Sequence, residues 1–246
     1  MSEQRDLFTT GSWLLADSVV FDLETTGLSP SDDEIIQIAA VRIRDGRVTP
    51  RDRFFSYVKP RRRIDSYITY LTGITNDHVR GAPRAFDILR QFTCFCGNSL
   101  LIGHNARAFD VPFLRSACSK RRAVLRDLQY VDSMHLSWLL WGREQGVSHS
   151  LDEVVSRLRV RRQGARRHDA RGDVKLLAEC VLMLTERLDR SGRGRLPKVY
   201  TIGLPMGTAD RPTAPNMAIN PTVSGVTPVA NGGNRRAVRP ARSGRR

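Results

Sequence analysis

Asp45-Gly46 stands between two apolar, β-branched runs, Glu34–Arg44 and Arg53–Val58, and a third such run, Ser18–Glu24, precedes them. Asp-Gly favours the positive-φ turn of a tight hairpin, so three consecutive strands are expected. From there the pattern becomes richer in helix. Ala85–Cys96 carries helical spacing, Ser99–Gly103 is a short apolar strand, Arg107–Lys120 a helix and Leu128–Val131 a further strand. Ser133–Trp141, Ser150–Leu158 and Ala170–Leu188 complete the series as helices. Strands in series followed by alternating helices and strands predict an α/β domain on a mixed central β-sheet flanked by helices. No internal repeat is present.

Of the 246 residues, 1–190 are assigned to that domain and 191–246 to a tail. The final 56 residues hold eight Gly and seven Pro and show no apolar period, so a mostly disordered C-terminal tail is expected. Within it, Val199–Leu204 is an apolar segment able to dock locally. Nine Arg and one Lys against one acid, Asp210, give the tail +9 of the chain's +15. Such charge suits a polyanionic partner. Arg-rich composition also follows from a G+C-rich genome, and the sequence does not separate the two causes.

No apolar run reaches the roughly 18 residues of a membrane span. Met1–Asp6 mixes charges and lacks an export-like stretch, so a cytoplasmic location is expected, with Cys94, Cys96, Cys118 and Cys180 reduced and buried. Their spacing does not suit zinc.

Four carboxylates occupy positions where core side chains belong. Residues two apart on a strand share a face, so Asp22 and Glu24 point together, away from Phe21 and Leu23. Asp110 shares a helical row with Phe113, Leu114 and Ala117. Asp173 heads the row Leu177, Cys180, Leu184 and Leu188. Each acid alone has a plainer explanation: Asp110 and Asp173 also suit helix N-termini. Together they form a set that burial would penalise by several kcal/mol unless paired, protonated or metal-bound. Oxygen ligands without thiolate or imidazole suit Mg²⁺ or Mn²⁺ rather than zinc. Two such ions would stabilise both oxygens of an in-line phosphoryl displacement.

His168, five residues before Asp173, is a candidate general base able to take a proton from the attacking water; the alternative is an exposed member of the basic stretch Arg159–Arg171. His104-Asn105 ends the Ser99–Gly103 strand and is placed at the rim, orienting substrate or a ligand carboxylate, unless His104 is simply a structural histidine. Thr25-Thr26-Gly27 supplies small residues for a turn that a ligand could approach closely. Lys59–Arg63 and Arg159–Arg171 could line a nucleic-acid path or be solvated loops.

Phe21–Leu28, His104–Asp110 and His168 with Asp173 resemble, in order, the three motifs of the DEDDh 3′→5′ exonucleases, and Leu71–Thr75 also resembles that group. The likeness covers roughly Ser18–Leu188 and is nearest to the proofreading epsilon subunits of bacterial DNA polymerase III and their stand-alone relatives. It implies a ribonuclease H-like fold and 3′→5′ hydrolysis of single-stranded DNA ends to nucleoside monophosphates, in proofreading or repair. Asp22, Glu24, Asp110 and Asp173 would hold two divalent cations and His168 would be the base. Thr25, Thr26, Gly27, Leu28, His104 and Asn105 would contact substrate, with Glu24 and the Thr25–Thr26 backbone at the 3′-hydroxyl. The tail does not resemble the polymerase-binding segment of epsilon subunits, so a polymerase partner is a possibility rather than an implication. RNA 3′-end trimming, or binding and bridging through the tail, are the alternatives. A monomer is expected.

Overall fold

The computed structural model describes residues 10–119, 122–162, 169–192 and 197–207. Strands β1 (Asp17–Thr25), β2 (Ile35–Arg44) and β3 (Arg47–Tyr57) form the expected antiparallel meander. Asp45 and Gly46 turn the β2–β3 hairpin with φ of 48° and 72°. Strand β3 begins earlier than its apolar run because the register skips between Val41 and Arg42, leaving Pro50–Asp52 as the extra residues on an edge strand. A bulge at an edge is where a strand proline is tolerated.

Strands β4 (Leu100–Gly103) and β5 (Leu125–Asp132) lie parallel to β1, and β6 (Val199–Pro205) closes the edge antiparallel to β5. The six-stranded order is β3-β2-β1-β4-β5-β6. Strand β6 corrects the expected boundary: Ile202 and Leu204 are buried in the core, so Val199–Leu204 docks on its own domain rather than standing in a disordered tail that starts at residue 191. Residues 208–246 lie outside the described residues.

Short helix α1 (Thr10–Leu14) precedes the sheet, and α2 (Ser66–Thr72) and α3 (Asn76–Arg80) follow β3. They are followed by α4 (Ala85–Cys96), α5 (Asp110–Ser119), α6 (Ser133–Trp141), α7 (Leu151–Leu158) and α8 (Ala170–Arg190). The pleat divides the core in two. Val19, Phe21 and Leu23 pack with Phe92 of α4 and Phe113 of α5. Val20, Ile102 and Val131 face the other way, against α6, α7 and the Leu177–Leu188 row of α8. A satellite cluster of Ile36, Ile64, Ile68, Ile74 and Val79 holds α2 and α3 to β2.

Three cysteines are buried as expected, but Cys94 is exposed. The inward row of α4 runs through Ile88, Leu89, Phe92, Thr93 and Cys96, and Cys94 falls outside it. Among the described residues no helix is long and apolar enough to cross a membrane.

Candidate active site

Asp22 and Glu24 continue the row of Val20 on the face covered by α8. The start of α8 is fastened there by Gln37, which pairs in register with Glu24, is buried, and accepts a 3.0 Å hydrogen bond from the Ala170 amide. Asp169 caps the helix by accepting from the Arg171 amide at 3.2 Å. Within the first turn, Asp173 then meets the strand: one carboxylate oxygen each from Asp22, Glu24 and Asp173 lies within 4.8 Å of the others.

Asp110 approaches from the opposite layer. It is the first residue of α5, only 3 % exposed, and its Oδ1 is buried with no hydrogen-bond partner among the described residues. The helix starts here, not at Arg107, because the preceding loop bends. Asn105 takes a φ of 58°, and the amides of Asn105 and Arg107 donate to Asp132 Oδ1 and Oδ2 at 2.9 and 3.1 Å. Asp132 Oδ1 also accepts from the Met134 amide at 3.0 Å, capping α6. One buried carboxylate thus ties the Asp110 loop to the end of β5. Sequence inspection missed Asp132, although an Asp before a helix is a capping signal.

Asp132→Ala should leave three amides without their acceptor, costing about 1–3 kcal/mol. Displacement of Asp110 should lower turnover by up to about a hundredfold, since ångström errors in positioning are that costly. Urea midpoints and kcat measured on one preparation check both; equal activity in the variant would refute the positioning role.

Electrostatics separates these acids from ordinary surface carboxylates. Burial holds Asp22 well above the usual range, and Asp110, Glu24 and Asp173 raise it further by repulsion. Glu24 is pushed up to about 8, by burial and then by Asp173, Asp110 and Asp169. Burial pushes Asp110 up to about 7, with Asp132 adding and the backbone amides of Asp110 and Leu23 opposing. A cluster of buried and half-buried oxygen donors, of which Asp22, Glu24 and Asp110 resist ionising alone and Asp110 keeps an unpaired lone-pair site, has the donor chemistry of a hard divalent cation site.

The turn after β1 is held from within. Thr25 Oγ1 donates to the Gly27 carbonyl at 2.6 Å, and Thr26 Oγ1 donates to Asp33 Oδ1 at 3.1 Å while accepting from the Glu34 amide at 3.0 Å. Gly27 is required by a different neighbour from the expected ligand: a Cβ there would collide with the Asp33 carboxylate. Leu28 projects from this turn with 84 % of its surface exposed.

His104 is half-buried and its ring is held by the protein. Its Nδ1 lies 2.8 Å from Ser133 Oγ and its Nε2 2.8 Å from the His149 carbonyl, so both ring nitrogens are engaged by the protein. Asn105 is exposed beside it. His168 lies outside the described residues. Of the basic stretches, Arg61 pairs with Glu34 at 2.9 Å, Arg162 with Asp152, and Arg171 with Asp169 at 3.1 Å.

Comparison with known proteins agrees with this arrangement. The RNase_T family model, described as Exonuclease, matches residues 19–181. The chain is 40 % identical over 188 residues to a DNA polymerase III subunit epsilon-like protein of Rhodobacter capsulatus, covering 74 % of this chain and 26 % of that protein. It is 34 % identical over 198 residues to the PolC-type DNA polymerase III of Thermotoga petrophila, covering 80 % of this chain and 14 % of that one. The chain therefore spans about a quarter or less of these relatives. Among solved structures, exonuclease X in complex with 5′ overhanging duplex DNA shares the fold at a TM-score of 0.54 and 24 % identity, covering 71 % of this chain and 93 % of that one. The nuclease domain of 3′hExo, a DEDDh family member bound to rAMP, does so at 0.60 and 20 %, covering 75 % and 96 %. With the family match spanning both core layers and all four acids, this chain belongs to the exonuclease family.

Proposed function

We propose that this chain removes nucleotides from the 3′ ends of single-stranded DNA, releasing nucleoside monophosphates, in proofreading or repair. The observation that carries this is the convergence of Asp22, Glu24 and Asp173 with the buried, underpartnered Asp110. These four would hold two divalent cations, Mg²⁺ or Mn²⁺, which supply charge neutralisation and polarisation at the scissile phosphate.

The chain's own groups do the rest. Glu24 and the backbone of Thr25 and Thr26 face the terminal 3′-hydroxyl, and Leu28 offers an apolar contact to the terminal base. The Thr26–Asp33–Glu34 hydrogen bonds keep that turn in one shape, so little ordering remains to be done on binding. His168 takes the proton from the attacking water. His104 acts behind the site by joining the end of β4 to α6 and to the loop before α7, which supports Asn105 as the outer substrate contact.

DNA is favoured over RNA because the curated relatives above are DNA polymerase III proteins, and the Rhodobacter capsulatus relative supports work beside a polymerase. Matched 5′-labelled DNA and RNA strands at equal concentration test the sugar preference. Faster shortening of DNA is expected; cleavage of RNA alone would replace the assignment with 3′-end trimming.

A further inference from the structure

We propose that Arg107, His135, Trp138, Arg143, Lys198 and Tyr200 form a second nucleic-acid contact, which carries the single strand upstream of the scissile bond. The proposal rests on the exonuclease assignment above. Strands β1, β4 and β5 are parallel, so their carboxyl ends open at one end of the sheet. Strand β6 enters at that end, with Val199 opposite Val131, and delivers Lys198 and Tyr200 there. Arg107 lies three residues before Asp110, on the loop tied to Asp132. The patch therefore adjoins the acids and is not a remote surface.

Its composition specifies the ligand. The Arg107 guanidinium lies 5.0 Å from the centroid of Tyr200 and Lys198 Nζ lies 5.3 Å from it, while Arg143 sits 4.4 Å over Trp138. His135 bridges the two rings, at 4.9 Å from Trp138 and 5.8 Å from Tyr200. Arg107, Arg143 and Lys198 are exposed and all close enough to lower the His135 pKa, although burial is the larger cause. Arg42, Arg61, Arg157, Arg171 and Arg190 each have a carboxylate partner. Among the described residues none of the three patch cations forms such a pair, and neighbouring Asp132 is already engaged by three amides. Like charges held together unpaired favour a polyanion, and the half-buried rings of Tyr200, which also stacks on Tyr130, and of Trp138 offer unpaired bases the faces that these exposed, flexible cations now cover. Phosphates with accessible bases are the chemistry of a single strand, whereas an acidic protein segment would use only the cations.

The test uses the full chain carrying Arg143→Ala and Lys198→Ala together, both exposed positions whose replacement leaves the core intact. Kinetics on a long DNA strand and on a dinucleotide are compared over a salt series, with fluorescence anisotropy of the labelled strand in EDTA. The expected result is a KM for the long strand raised by roughly tenfold and a salt slope shallower by about 1–2, as for two lost phosphate contacts, with the dinucleotide unaffected. Equal effects on both substrates, or none on either, would overturn the patch. Wild-type protein that binds the strand through these residues but never cleaves it would instead overturn the exonuclease assignment and leave the patch standing.

Discussion

Asp110→Asn is expected to abolish hydrolysis and to make the metal-free protein more stable. The carboxyl is 3 % exposed, its Oδ1 has no partner among the described residues, and burial pushes its pKa up to about 7. An amide of the same shape removes the charge that the interior resists and the charge that a divalent cation would need. Loss of a ligand to a cation worth several kcal/mol in the transition state should lower kcat by about a thousandfold or more. Relief of the buried charge should raise unfolding free energy in EDTA by about 1–3 kcal/mol. Opposite signs in activity and stability separate a functional carboxylate from a structural one. A variant that is both active and destabilised would identify Asp110 as an ordinary helix-terminal acid.

The second large effect is on pH dependence. In the folded protein Glu24 titrates at about 8 in place of its ordinary 4.5, and Asp110 at about 7 in place of 3.8. Between those limits the folded state binds protons that the unfolded chain has released. Stability of the metal-free protein must then fall as pH rises through that window. The sign is the reverse of that for a salt-bridged acid, whose lowered pKa stabilises at high pH. A divalent cation binds the deprotonated cluster, so its stabilisation grows over the same range and adds about 2.7 kcal/mol at a hundred times its Kd. Thermal unfolding at pH 5 and pH 8, with EDTA and with Mg²⁺, should show a gap in Tm that widens toward pH 8. A gap that is constant or narrows with pH would contradict the assigned cluster.

Much of this site follows from local periodicity. The pleat alone puts Asp22 beside Glu24, and helical spacing turns Asp173 toward the core, because both rules depend only on residues near in sequence. Asp45-Gly46 gave its hairpin for the same reason. The supports were harder to see. Gln37 matters through a bond to Ala170, 133 residues away, and Asp132 through amides at Asn105 and Arg107, so neither announces itself within its own segment. Strand β6 is equally non-local: Val199–Pro205 gains its ladder from Leu125–Val131, and without that partner it is an isolated apolar run in basic, Gly- and Pro-rich surroundings. Helices α2 and α3 are too short for a period, although Asp65, Gly73 and Thr75 mark their ends as caps. The ring contacts of the half-buried His104 are likewise non-local, because Ser133 and the His149 carbonyl lie 29 and 45 residues away.

The most direct test of the central claim is the polarity and metal dependence of digestion. Single-stranded DNA labelled at the 5′ end in one sample and at the 3′ end in another is incubated with wild-type protein and with Asp22→Ala, in Mg²⁺ and in EDTA. A ladder of progressively shorter 5′-labelled strands, immediate release of the 3′ label as mononucleotide, and loss of both in EDTA and in the variant are predicted. Cleavage that persists in EDTA or in Asp22→Ala, or that begins from the 5′ end, would contradict the four-carboxylate site as the seat of the chemistry.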